Sequence, residues 1–227
     1  AVMGYHAEGK YYLTKSKKEL RYYTKRAQEL LSVARPLMDI YRVGNKNELN
    51  AFLQADSEVA GKRKSIFSSL PLYTIDMLLL EEMLAQGGFS QDEISHIEGV
   101  AMTARQRILH ILESSEIEVK VPKLSEEEFE AYPLALDLSA AFCEQNVVYT
   151  YEQYLAHMEN TDFFATEHSR YRVEKTSSQT FRNLQINIHE GKWAMVSKVF
   201  SPAIHFVIYH PKRRRAIEEF IPPVVEE

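Results

Sequence analysis

Alternation of apolar and polar residues is clearest in the last fifty positions of the chain. From 184 to 188 every second residue is apolar, which places three aliphatic side chains on one face of a predicted strand and Gln185 and Asn187 on the other. Gly191 separates this run from a second one over 193–199, and this arrangement is typical of a β-hairpin. A third β-rich segment over 204–209 precedes a basic helix.

The beginning of the chain follows a helical period instead. Ser16 and Glu19 have the spacing of a capping box, and apolar residues then recur at steps of three and four up to Val43. Pro36 lies inside this stretch, so we expect it to kink or split the helix, because proline removes a main-chain hydrogen bond.

The middle of the chain alternates predicted helices with short strands. Helices are predicted over 46–61, over 75–86 with Thr74 as cap, from Ser90 to about 114, after Ser125, and from Thr150 to about 168; strands are predicted over 117–121 and 171–175. The pattern predicts an α+β fold, with an N-terminal all-helical part followed by a small, mostly antiparallel sheet with flanking helices. We divide the chain into a helical dimerisation and transmission region, 1–116, and an α+β ligand-sensing domain, 117–227.

Charge and composition narrow the classes of function. The net charge is −5 over 227 residues, but segment 76–162 alone carries −14, with four Lys or Arg against eighteen Asp or Glu. A nucleic-acid-binding protein needs clustered positive charge to neutralise phosphates, and the chain as a whole lacks such clusters. EEMLAQGGFSQDEISHI has the order of a helix-turn-helix, yet 76–99 contains no Lys or Arg, so we interpret it as an ordinary helix hairpin.

Cysteine content and hydropathy indicate the cellular compartment in which we expect the protein to function. A single cysteine, Cys143, excludes an intramolecular disulfide, and no apolar run approaches the ~20 residues that span a bilayer. We therefore expect a cytoplasmic protein that does not enter the membrane.

The polar face of the C-terminal sheet is the best candidate for a site. If the strands align, Gln185, Asn187 and His189 share that face with residues of the next two strands, and Trp193 adds apolar area. Neutral donors and acceptors beside a large aromatic ring suit binding of a small organic molecule, although a solvated outer face would show the same pattern. The predicted ligand-binding residues are Gln185, Asn187, His189, Trp193, His205 and Tyr209.

Other sites are weaker candidates. Arg213, Arg214 and Arg215 begin the last helix at its positive dipole end, which would suit an anion or an acidic partner, or simply be a solvated charge run. No motif for a catalytic nucleophile, a phosphate loop or a metal occurs, so we predict no catalytic residues, no metal and no cofactor.

Two stretches carry a resemblance to a known class of protein: FRNLQINIHEGKWAMVSKVFSPAIHFVIYHPKRRRAIEEFIPPVVEE and the upstream RKSIFSSLPLYT. They resemble the C-terminal effector region of bacterial XRE-like (helix-turn-helix) transcriptional regulators. The resemblance implies a ligand-sensing and oligomerisation region, a homodimer, and DNA binding only through an N-terminal domain absent from this sequence. The effector is unidentified.

Two alternatives remain open from the residues. One is a non-enzymatic protein–protein interaction module that docks through the tyrosine-rich first helix or through the Arg213–Arg215 end. The other is an enzyme, which would need His189, His205 and a carboxylate such as Glu190 gathered in one cleft.

Overall fold

The computed structural model describes residues 25–26, 29–30, 39–143, 145–177, 183–200 and 202–221. Its strands are β1 (Ile40–Val43), β2 (Arg63–Ile66), β3 (Ile117–Pro122), β4 (Tyr171–Thr176), β5 (Leu184–His189), β6 (Trp193–Lys198) and β7 (Ile204–Ile208). The helices that follow β1 are α1 (Lys46–Ser57), α2 (Met77–Gln86), α3 (Gln91–Ser114), α4 (Glu126–Ala131), α5 (Tyr151–Glu167) and α6 (Pro211–Phe220), with short 3₁₀ turns at Leu72–Thr74 and Ser139–Ala141. The predicted α+β class is confirmed.

All seven strands form one mixed sheet in the order β1-β7-β6-β5-β2-β3-β4. Strands β2, β3 and β4 run parallel to one another, and the remaining neighbours are antiparallel, so the predicted mostly antiparallel sheet is confirmed. Strand β2 lies between β5 and β3. The sheet therefore takes strands from both of the regions into which the sequence was divided. The N-terminal region is not all-helical as was predicted, because it contributes β1 and β2 to the sheet.

Local capping chemistry sets the start of most helices. Ser90, Ser125 and Thr150 each begin a helix, as predicted. The capping box predicted at Ser90 is present, and the structure shows the same reciprocal side-chain and main-chain bonds at Ser125 and Thr150. The predicted Thr74 cap is wrong. Helix α2 begins after Asp76, whose carboxylate accepts from two main-chain N–H groups, whereas the Thr74 hydroxyl points into the core.

The end of the predicted first helix is also wrong. Residues Ile40–Val43 form β1, which pairs antiparallel with β7. Their aliphatic and aromatic side chains suit a strand, and pairing supplies hydrogen-bond partners to the main chain at the edge of β7. The local helical pattern gives no sign of this pairing, because β7 is distant in the sequence. The predicted Ser16–Glu19 capping box and the Pro36 kink lie outside the described residues, while 25–26 and 29–30 are helical.

Helices cover both faces of the sheet. On one face, α2, α3 and α5 enclose the largest apolar cluster with the inward residues of β3 and β4, such as Val119 and Tyr171. On the other face, α6 packs its Ile217 against a smaller cluster that includes Ile186 and Ile188. The apolar face of the β5–β6 hairpin thus lies under α6, and its polar face turns toward α1 and α3. None of the helices in these ranges is long and apolar enough to cross a bilayer.

Candidate ligand-binding cavity

A cavity of about 160 Å³ lies between the polar face of the β5–β6 hairpin and helices α1 and α3. Most of its wall is apolar, and a few charged or polar side chains interrupt it. The polar and charged residues that line it are Asp56, Arg63, Ser65, Arg107, Asp137, Ser139, Gln185, Asn187, Ser197 and His205.

The helical wall follows from spacing along the sequence. Leu49, Leu53 and Asp56 lie at steps of four and three on α1 and therefore share one side of that helix. Helix α3 contributes a longer stripe with the same period, consisting of Val100, Ala104, Arg107, Ile108 and Ile111. One face of each helix thus closes the cavity opposite the sheet.

Strand register sets the other wall. Gln185 pairs with Ser197, and Ser197 pairs with His205 on the next strand, so these three side chains form a row across the sheet. Asn187 pairs with Ser65 on β2 in a neighbouring row. The prediction that Gln185 and Asn187 share one face with His205 is confirmed, and all three line the cavity together with Trp193.

Asp56 is the centre of a buried hydrogen-bond network at one end of the cavity. His189 Nδ1 and Trp193 Nε1 each lie 2.7 Å from its Oδ1, and both donate to it. Arg63 donates to Oδ2 from Nε at 3.2 Å and from a terminal nitrogen at 3.1 Å. The other donors of Arg63 reach main-chain carbonyls of Asp56, Val59 and Gly61. The network therefore satisfies its own charges and holds Trp193 in place.

The ionised form of Asp56 is favoured inside this network. Burial alone would raise the pKa of Asp56, but the His189 hydrogen bond, the Arg63 charge and the Trp193 hydrogen bond together hold that pKa below its ordinary value. Asp56 and Arg63 are thus a closed ion pair whose side chains are 9% and 8% exposed.

A second polar group connects three side chains on β2 and β5. The Ser65 hydroxyl donates to Asn187 Oδ1 at 2.8 Å, and Gln185 Nε2 donates to the same oxygen at 3.3 Å. The oxygen of Asn187 is therefore occupied by protein donors, while no acceptor from the described part of the chain engages its amide N–H groups, which leaves them for a ligand.

His205 belongs to a third buried group. Its Nε2 lies 3.3 Å from the main-chain carbonyl oxygen of Ser139, which can only accept, so this nitrogen carries the hydrogen. The Nδ1 then accepts from the Ser197 hydroxyl at 2.8 Å. Burial lowers the pKa of His205, which keeps the ring neutral in this arrangement.

Arg107 and Asp137 are the functional candidates that sequence reasoning missed. Within the described ranges Arg107 makes no hydrogen bond or ion pair, and its Nε is buried without an acceptor. Asp137 is 8% exposed and accepts from the main-chain N–H of Ser139 at 3.0 Å. Burial raises the pKa of Asp137, an effect that the Ser139 hydrogen bonds only partly offset. A signal for Arg107 was present, since it interrupts an otherwise apolar helical stripe.

Two predicted ligand residues lie away from the cavity wall. His189 is fully buried behind Asp56, and Tyr209 packs beside the apolar cluster of Val43 and Phe52. His189 contacts Asp56, His205 contacts Ser197, and Glu190 pairs with Lys64, so the structure does not join His189, His205 and Glu190 by hydrogen bonds to one another.

The three arginines of α6 differ in their surroundings. Arg213 and Arg215 are exposed, while Arg214 pairs with Glu218 one turn later and donates to the carbonyl of Lys192. Arg214 therefore fastens α6 to the β5–β6 turn, and its two neighbours face solvent.

Comparison with known proteins places few constraints on this chain. No family model matches the sequence. No curated protein matches it either. Among solved structures, TrmBL2, an archaeal chromatin protein whose structure shows a novel mode of DNA binding, has a weak structural similarity with a TM-score of 0.40 at 11% sequence identity. The match covers 90% of this chain and spans about 60% of the length of the TrmBL2 chain.

Proposed function

We propose that this chain is the small-molecule-sensing region of a transcriptional regulator. The cavity between the sheet and helices α1 and α3 is the observation that supports sensing, because it joins a mostly apolar wall to a few oriented polar groups. Except for Arg107, its charged and polar lining groups are held by hydrogen bonds within the protein, so most of the site is preorganised rather than assembled on binding.

The regulator part of the proposal rests on the resemblance to effector regions of XRE-like proteins. The two stretches that carry it supply β2 and the strands β5, β6 and β7. Residues from all four of these strands line the cavity, so the resembling segments and the candidate site coincide.

A route for signalling follows from the position of α1. This helix lines the cavity with Leu49 and Leu53 and follows directly on β1, the strand closest to the N-terminal part of the chain. A ligand that binds two packings of α1 unequally would shift their populations, and a homodimer would pass that shift to a DNA-binding domain outside this sequence.

Thermal-shift screening of a metabolite library tests the sensing role. A ligand present at 100 times its Kd adds about 2.7 kcal/mol to the free energy of unfolding, which corresponds to roughly 5–10 °C in Tm for a chain of this size. The variant Ala104→Leu fills the cavity from α3 and should abolish the shift, whereas Ala85→Leu at an exposed position of α2 should leave it unchanged.

The screen has two outcomes that count against the proposal. One is a library in which no compound stabilises the protein. The other is a set of stabilising compounds whose effect survives the Ala104→Leu substitution, because such compounds would bind elsewhere on the surface.

A further inference from the structure

The polar groups of the cavity divide into those with protein partners and one without. The Asp56–Arg63 pair is closed, Asn187 Oδ1 accepts from two side chains, and His205 uses both ring nitrogens. Arg107 is the exception among the lining residues of the described ranges, since no protein acceptor reaches its guanidinium. The cavity therefore contains one cation whose hydrogen-bonding capacity is unused.

The unpaired state of Arg107 is unfavourable by itself. A buried donor without an acceptor costs about 1–3 kcal/mol, and more when the group is charged. Arg107 is half-buried and its Nε is fully shielded, so bulk water does not satisfy that nitrogen. Asp137 lies on the same cavity but forms no ion pair with Arg107, and burial favours its neutral form. An anionic ligand would remove this cost.

Shape and polarity define the rest of such a ligand. Aliphatic and aromatic side chains form most of the rest of the cavity wall, including Val100 and Ile108 on the same helix as Arg107 and Phe67 and Met195 on the sheet side. A volume of about 160 Å³ compares with the roughly 150 Å³ of an engineered apolar cavity that binds benzene. The space therefore suits an apolar body of about one ring.

We propose that the ligand is a small organic carboxylate with an apolar body about the size of one aromatic ring, and that its carboxylate binds the guanidinium of Arg107. The inference rests on the proposed sensing function. Two carboxylate oxygens match the planar fork of an arginine, and the charge-assisted bonds are stronger than those to a neutral amide. The free N–H groups of Asn187 offer a second donor to the same ligand.

Calorimetric titration with shape-matched probes tests this ligand class. Benzoate, phenylacetate, cyclohexanecarboxylate and hexanoate are each compared with the corresponding amide, and benzylamine supplies the opposite charge. At least one carboxylate is expected to bind about tenfold to a hundredfold more tightly than its amide. Benzylamine is expected to bind more weakly than either.

Matched arginine variants locate the binding. Arg107→Gln should weaken carboxylate binding by about the same factor and leave amide binding unchanged. Arg105→Gln, on the same helix but outside the cavity, should change neither. Urea unfolding of Arg107→Gln without ligand should show stability equal to or above that of the unmodified protein, because the substitution removes an unpaired charge.

The outcomes separate this inference from the proposed function. Equal binding of carboxylates and amides, tighter binding of benzylamine, or full carboxylate affinity in Arg107→Gln would overturn the carboxylate class. Failure of all four carboxylates would do the same. The sensing function would survive each of these results if another library compound bound in a way that Ala104→Leu blocks, and would fail if none did.

Discussion

Replacement of Asp56 by asparagine tests whether the network beside the cavity is a closed, buried ion pair. The substitution preserves size but removes the charge, and it puts an amide N–H₂ where the carboxylate accepted from Arg63 or from His189 and Trp193. Arg63 is 7% exposed, so its charge would remain buried without an anion.

The expected loss can be worked from this burial. Breaking a buried pair by removing one partner costs about 3–5 kcal/mol, mainly because the remaining charge is uncompensated. Typical domains are stable by only about 5–15 kcal/mol, so Asp56→Asn should remove a large fraction of the total. Asp162→Asn is the matched control, because its carboxylate is 46% exposed and pairs with a partly exposed Lys175. Such surface pairs are worth about 0–1 kcal/mol.

Urea unfolding followed by far-UV circular dichroism measures both losses, while the emission of Trp193, the single tryptophan, reports its hydrogen bond. A double-mutant cycle with Arg63→Met adds a second test, because that change should cost less in the Asp56→Asn background than alone. If Asp56→Asn loses no more stability than Asp162→Asn, the ion pair is not buried in the way described and the reasoning is refuted.

Two further predictions concern buried histidines. Gly61→Ala should destabilise the protein by about 2–4 kcal/mol, because a Cβ at this position would overlap the fixed ring of His189. Gly191→Ala is the comparison, since the turn at Gly191 has open space and the substitution should cost only the ~1–2 kcal/mol of a left-handed residue. Equal losses of stability in urea unfolding would contradict this prediction. Burial lowers the pKa of His157 from 6.5 to about 3, so the unfolded state binds the extra proton between these values and stability falls as pH drops below 6.5. The loss of folding stability should reach roughly 2 kcal/mol at pH 5. This loss should be smaller in His157→Gln but unchanged in His96→Gln, a substitution at an exposed position. Coinciding urea unfolding curves at pH 7.5 and pH 5 would exclude the effect.

Most elements were predictable because their signals lie within a few residues. The helix starts at Ser90, Ser125 and Thr150 depend on contacts across three positions, and the structure has a helix beginning at each of them. The hairpin of β5 and β6 was predicted for the same reason, since alternation and a turn glycine are local properties. Boundaries that depend on distant segments were not predicted, as the strand β1 shows.

The candidate site was predicted in part. Strand parity brought Gln185, Asn187, Trp193 and His205 to a common face, and the structure places all four on the cavity wall. The alternation of side chains along a strand could not show that Asp56, on a helix more than a hundred residues away in the sequence, would bind His189. Because of that hydrogen bond, His189 does not line the cavity.

By itself, the sequence determined which residues form most strands and helices and which side chains share a strand face. These properties depend on interactions between residues only two to four positions apart. Only the tertiary structure decided that the polar face of the hairpin turns inward, that β2 lies beside β5, and that Arg107 has no protein partner in the described ranges. The reason is physical: the pairing of a buried charge depends on which distant segment packs against it, and a local pattern does not contain that information.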